Sequence, residues 1–179
     1  MIPTDKQIQD LWRKYRFPVE KQTHVVLVEK VALFFARSIV KKIHVPINEE
    51  LLHAAALVHD IDKNAPKLPG EHHPDAGVRI LNDAGMKEVA RLVAKHPLHS
   101  ILDPVIAPSS WEEKLLFLAD KMVKYEIITV DKRFDLWRAE DLSPDARKIL
   151  NECYPKVKKL EEEILTLINV LPADVAFLV

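Results

Sequence analysis

Glycine is nearly absent: Gly70, Gly77 and Gly85 are the only three in 179 residues, against roughly 7% in average usage. Three glycines so spaced cannot write a P-loop or another glycine-rich phosphate cradle, so phosphoryl transfer of that type is excluded. No segment of four to eight residues shows clean polar and apolar alternation bounded by hairpin signals, which predicts almost no sheet. A lone cysteine, Cys153, rules out an intrachain disulfide framework and fits a reducing compartment. Its expected role is that of a small buried hydrophobe. An excess of one charge is also missing, since 26 basic and 27 acidic residues are interspersed to a net −1. That leaves no electrostatic footprint for nucleic acid or an anionic membrane. The longest apolar stretch, Ile164 to Val179, is interrupted by Pro172 and Asp174, and the opening MIPTDKQIQD lacks the basic and apolar regions of a secretory leader. A cytoplasmic protein is expected.

Helical periodicity fills the space these absences leave. With 48% hydrophobic residues the chain can bury one sizeable core, and residues 1–179 are read as a single all-α helical bundle. A short amphipathic helix is predicted from Thr4 to about Tyr15, ended by Arg16-Phe17-Pro18. A long one follows from Val19 to about Ile43. Asn48 is a candidate N-cap, with Glu49 and Glu50 in the first turn, for a helix ending near His59-Asp60. Residues 62–72, rich in Pro, Gly and Asn, read as a loop at the rim of a site. Two shorter helices, about 75–84 and 87–95, are separated by Gly85 as a C-cap candidate. Residues 97–110 are irregular, 111–128 are strongly helical, and 129–142 are ambiguous, with a short helix through Phe134 and Trp137.

Ser143-Pro144-Asp145 starts a C-terminal helix, 143–169. In it Leu150, Cys153, Val157, Leu160, Ile164, Leu167 and Leu171 recur at spacings of three and four, a coiled-coil-like seam that Pro155 should kink or restart. Docking of this seam on the chain's own bundle is expected, a homodimer through it being the alternative.

Several polar residues stand where these helices should turn apolar side chains inward. His24 shares a face with Leu27, Val28 and Val31; His59 follows Leu52, Ala55 and Ala56; His96 follows Val89, Leu92 and Val93; Asp120 closes the apolar run Leu115–Ala119. An unpartnered buried imidazole or carboxylate costs roughly 2–7 kcal/mol on transfer estimates, so such groups should satisfy one another or share a cation. Neutral imidazole and carboxylate suit Fe, Mn, Co, Ni or Zn. Ligands from separate helices leave positions on such an ion for water and a phosphate oxygen, and a bound cation can acidify that water toward neutral pH.

The segments THVVLVEKVALFFA, LLHAAALVHDIDK, HHPDAGVRIL, EVARLVAKHP and EKLLFLADKMV, spanning about residues 19–134, resemble the HD-domain metal-dependent phosphohydrolases, whose order is His, His-Asp, then a distant Asp. The resemblance implies His24, His59, Asp60 and Asp120 as primary ligands, with His73 and His96 completing a second ion's shell. It makes Asp60 catalytic as the ligand that orients water. Lys63, where many relatives carry a lysine, would stabilise charge on the phosphate, and Lys121 and Arg133 would contact substrate, the alternative for all three being a solvated surface role. His72 is an alternative to His73. His53, about 240° round the helix from His59, reads as a surface or supporting residue, and His44 as a helix-end residue. Pro97 stands where many binuclear relatives have a second histidine, with His99 two residues on, and the glycine-tyrosine-proline signature of cyclic dinucleotide phosphodiesterases is missing. The implied function is hydrolysis of a small phosphorylated substrate, a phosphate ester or nucleotide. The alternatives are a di-iron oxygenase of the same type and a non-catalytic metal-binding module.

Overall fold

The computed structural model describes residues 1–179 and contains nine α-helices, three short 3₁₀ turns and no strand. A single isolated bridge, Val123 to Ile127, is its only β pairing. Helix α1 (Asp5–Lys14) opens on a reciprocal cap between Thr4 and Gln7, and the Trp12 indole donates to the carbonyl of Leu57 at 3.0 Å. Helix α2 (Val19–Ile43) is the central member and packs chiefly on α3 (Glu49–Val58) and α6 (Trp111–Lys121). It ends at His44, which takes a left-handed conformation (φ 54°). Asn48 caps α3 by accepting from the Leu51 amide at 2.9 Å. A 3₁₀ turn, Ile61–Lys63, follows directly.

Helices α4 (Asp75–Asp83) and α5 (Lys87–Lys95) pack on each other, and their connection needs Gly85 at φ +74°, a conformation that penalises a Cβ. Ser110 and Glu113 close a second capping box at the start of α6. Thr129 caps α7 (Val130–Arg138), resolving the ambiguous stretch as a helix. Helix α8 (Pro144–Ile168) packs on α2, α7 and the 3₁₀ turn Leu98–Leu102, and α9 (Val175–Leu178) ends the chain.

Three local expectations are corrected. Helix α6 stops at Lys121 rather than near Ile128, because Met122 and Val123 are buried in a tight turn closed by the Ile128 amide on the Met122 carbonyl at 2.8 Å. Helix α8 runs unbroken through Pro155. An internal proline costs roughly 3 kcal/mol or more, which burial of Cys153, Val157, Leu160 and Ile164 on both sides of it offsets. Finally, the buried stripe of α8 passes to Leu165 and Ile168 while Leu171 is 68% exposed. That drift is what a straight helix of 3.6 residues per turn does to a heptad seam, and the stripe is covered by the chain's own core.

The helix ends that matter for the site are those of α3, α5 and α6. All three finish at one side of α2, bringing His59-Asp60, His96 and Asp120 to the level of His24.

Candidate metal centre

At the helix ends the same local device occurs twice. His59 lies one residue beyond α3 and turns back so that Nδ1 meets the carbonyl of Ala56 at 2.8 Å. His96, one residue beyond α5, does the same with Val93 at 2.6 Å. These carbonyls belong to the last turn, whose regular helical partners are missing, and that of Val93 also takes the His96 amide at 3.4 Å. Because α6 stops early, the carbonyl of Lys124 is free to meet His24 Nδ1 at 3.2 Å. His73 instead places Nδ1 at 3.0 Å from Asp62.

Carbonyls and carboxylates only accept, so in the neutral rings of His59, His73 and His96 the proton sits on Nδ1 and Nε2 keeps its lone pair, while His24 meets an acceptor at each nitrogen, the Lys124 carbonyl and Asp120. All four Nε2 atoms face two carboxylates. His24 Nε2 is 3.1 Å and His59 Nε2 3.5 Å from Asp120 Oδ1, while His73 Nε2 and His96 Nε2 are 3.8 and 3.9 Å from Asp60 Oδ1. Nε2 of His59 and of His96 is fully buried with no hydrogen-bond partner. Orphaned buried nitrogens are rare and need an explanation. Here the donor chemistry supplies it: three overlapping sets, His24–His59–Asp60, His59–His96–Asp120 and Asp60–His73–His96, each bring their ligand atoms within 4.8 Å of one another. Imidazoles fixed through Nδ1 with Nε2 converging on carboxylates fit a divalent metal. Three helix C-terminal ends, each carrying partial negative charge, add to the preference for a cation.

The electrostatics agree. Burial opposes ionisation of Asp60, yet the charges of His59 and Lys63 outweigh it and hold the carboxyl below the usual range. Asp120 is held well below its ordinary value against the same burial, by the Lys121 ammonium and by the neighbouring imidazoles of His24 and His59. Burial disfavours the charged form of His59, but Asp120 and Asp60 raise its pKa nonetheless. His96 is pushed well down by burial and by positive charge at His59 and His73. The pair of carboxylates thus demands positive charge at the centre of the cluster.

A cavity of about 480 Å³ opens over these groups. Lys63 reaches Asp60 Oδ1 at 3.4 Å. Arg133 lines the cavity from α7, with its guanidinium 4.5 Å from the Trp137 ring centroid and its Nε buried without a partner. Burial lowers the pKa of this guanidinium, opposed by Asp120. The solvated-surface reading fails for both Lys121 and Arg133. Lys121 is 1% exposed, and its ammonium donates to Asp120 Oδ2 and to the carbonyl of His96. With those bonds made it is committed to the protein rather than offered to a substrate.

Among the other histidines, His72 is exposed and His73 is the one drawn to Asp60. His99 is exposed at the cavity mouth and belongs to none of the three sets. His53 joins Glu29 and Asp5 away from the cluster.

Two residues escaped the sequence reading. Asp62, 1% exposed, orients His73, although the loop expectation placed it at a solvated rim. Its one signal is a second carboxylate in His-Asp-Ile-Asp. Lys21, 3.7 Å from Asp60 Oδ2, stands three residues before His24, a spacing that shares a helical face.

A family model described as HD domain matches residues 22–124, more than half of the chain. That span holds every member of the three ligand sets. No curated protein and no solved structure matches the chain. No helix is long and apolar enough to cross a membrane.

Proposed function

The chain belongs to the HD domain family, and from that premise we propose that it is a metal-dependent phosphohydrolase of a small phosphate ester or nucleotide. The observation that carries the proposal is the convergence of four Nε2 atoms, two of them buried and unpartnered, on Asp60 and Asp120. His24, His59, Asp60 and Asp120 would hold one divalent ion, and His73 and His96 a second that Asp60 also reaches. When bound, such ions supply Lewis acidity toward a phosphoryl oxygen and make water available as a nucleophile near neutral pH.

The chain's own residues do the rest. Lys63 and Lys21 both lean on Asp60 from the cavity side, where their charge can meet the non-bridging oxygens of a phosphate and stabilise them as charge builds. Arg133, unpaired and backed by Trp137, can take a substrate oxygen with its planar fork. Asp62 keeps His73 in one orientation, so that the ligand needs no reordering on binding.

The test is a panel of phosphomonoesters and nucleotides assayed with Mn, Co, Ni or Fe. Chelation should abolish turnover and readdition restore it, and Asp60→Asn, checked for fold by circular dichroism, should lose both metal and activity. Full turnover by metal-free protein would remove the mechanism. A four-histidine, two-carboxylate cluster also suits a di-iron oxygenase. Hydrolysis that persists under strict anaerobiosis excludes that reading.

A further inference from the structure

Lys121 is a lysine whose side chain is 2% exposed, a state lysines reach only when paired. One of its donors goes to Asp120 Oδ2 at 2.7 Å and another to the carbonyl of His96. Its ammonium also lies 4.3 Å from the centroid of the Phe117 ring, where the π face favours a cation. The pairing divides the two oxygens of Asp120. Oδ1 faces the Nε2 atoms of His24 and His59 at 3.1 and 3.5 Å, while Oδ2 is capped by the ammonium. His96, whose carbonyl takes the other bond, sends its own Nε2 to the opposite side of the cluster, toward Asp60. One buried charge therefore ties the end of α5 to the end of α6 across both ligand sets.

We propose that Lys121 is a positioning residue of the metal centre, restricting Asp120 to ligation through Oδ1 and fixing the distance between Asp120 and His96. The proposal rests on the metal-centre reading above. A free carboxylate binds a cation through one oxygen or both, and a capped Oδ2 removes that choice. The ammonium also neutralises the capped oxygen, so the charge of Asp120 is not left unpaired beside the apolar core. Methionine at this position keeps the length of the side chain and its packing against Phe117 but frees Oδ2.

The experiment compares metal-free wild-type protein with Lys121→Met by isothermal titration with Mn(II) and Co(II), by the visible absorption of the Co(II) forms, and by thermal melts. The variant should bind each ion roughly 10–100-fold more weakly, the usual effect of losing a group that orients a ligand, and its Co(II) spectrum should change as Asp120 engages its second oxygen. Equal affinity and an identical spectrum would overturn the proposal. So would weaker binding that follows a lowered melting temperature with the spectrum unchanged, since that marks a purely structural role. If the wild type takes up neither ion, the metal-centre reading fails and carries this one with it. Should Lys121→Met not fold, Lys121→Arg keeps the buried cation but replaces the compact ammonium with a bulkier planar fork; it should fold and shift the Co(II) spectrum, and wild-type affinity and spectrum in that variant would count decisively against Lys121.

Discussion

At the residue scale the cluster depends on which atoms are already committed. Asp120 spends one oxygen on Lys121, His73 is held by Asp62, and three imidazoles are pinned by backbone carbonyls. Lys63 is different, because its one ion pair is with Asp60 at 3.4 Å and a third of its side chain is exposed. A lysine so placed can turn from Asp60 to a substrate phosphate. Lys63→Ala should therefore lower kcat by roughly the 10²–10³-fold typical of removing one preorganised electrostatic group. Metal content and melting temperature should stay near wild type, since Asp60 keeps His59 and Lys21 beside it when Lys63 is gone. Steady-state kinetics beside metal analysis checks this, and an unchanged kcat would return Lys63 to the solvated surface.

Four of the six ligand candidates, His24, His59, His96 and Asp120, were legible from residue type and spacing, because a histidine or aspartate on an apolar helical face contradicts the pattern around it, whereas Asp60 and His73 were named by the resemblance. Supporting residues leave no such contradiction. Asp62 lies in a turn without periodicity, and the burial of Lys121 arises only when α5 and α6 meet. Neither fact is local to the sequence.

At the scale of elements, helix starts were readable and helix ends less so. Asn48 and Ser143 announce themselves by a side-chain oxygen that accepts from a first-turn amide, whereas the cap that Thr129 makes for α7 lay in a stretch the sequence left ambiguous. Nothing comparable marks Met122, where α6 ends, and the missed end matters because it frees the Lys124 carbonyl for His24.

Away from the metal centre, His53 on α3 bridges Glu29 of α2 at 2.9 Å and Asp5 of α1 at 2.8 Å. The bond to Glu29 chiefly, opposed by partial burial and assisted by Asp5, raises its pKa to about 9 from 6.5. The folded state then holds a proton that the unfolded chain releases at lower pH. This contribution to stability is complete below pH 6.5 and is lost as pH rises through about 9. Because the site is partly solvated, its size is on the order of 1 kcal/mol rather than the full shift. Urea unfolding across this range should show wild type more stable than His53→Gln at pH 6 and the two converging above pH 9. A pH-independent gap would mean that His53 acts by packing alone.

On the scale of the whole molecule, the metal centre and the fold are one energetic system. Its ligands come from α2, the end of α3, the segment before α4, the end of α5 and α6, so an ion held by all of them links elements that span residues 24–120 in sequence. The unfolded chain offers no such arrangement, and binding to the folded state alone stabilises it by mass action. At a free metal concentration about a hundred times Kd the gain is roughly 2.7 kcal/mol. For a chain of this length that corresponds to a rise in Tm of about 5–10 °C. The sign of the local charge supports a gain rather than a loss, since Asp60 and Asp120 are both held ionised in a buried cluster that favours positive charge. Melting curves of chelated and Mn- or Co-loaded protein should separate by that amount. Asp60→Asn should lower the melting temperature of the chelated form, because it removes a carboxylate that His59 and Lys63 hold ionised, while abolishing most of the metal-induced rise. Equal responses to metal in wild type and variant would show that the ions bind elsewhere, and the His-Asp cluster would then be a structural network of the core.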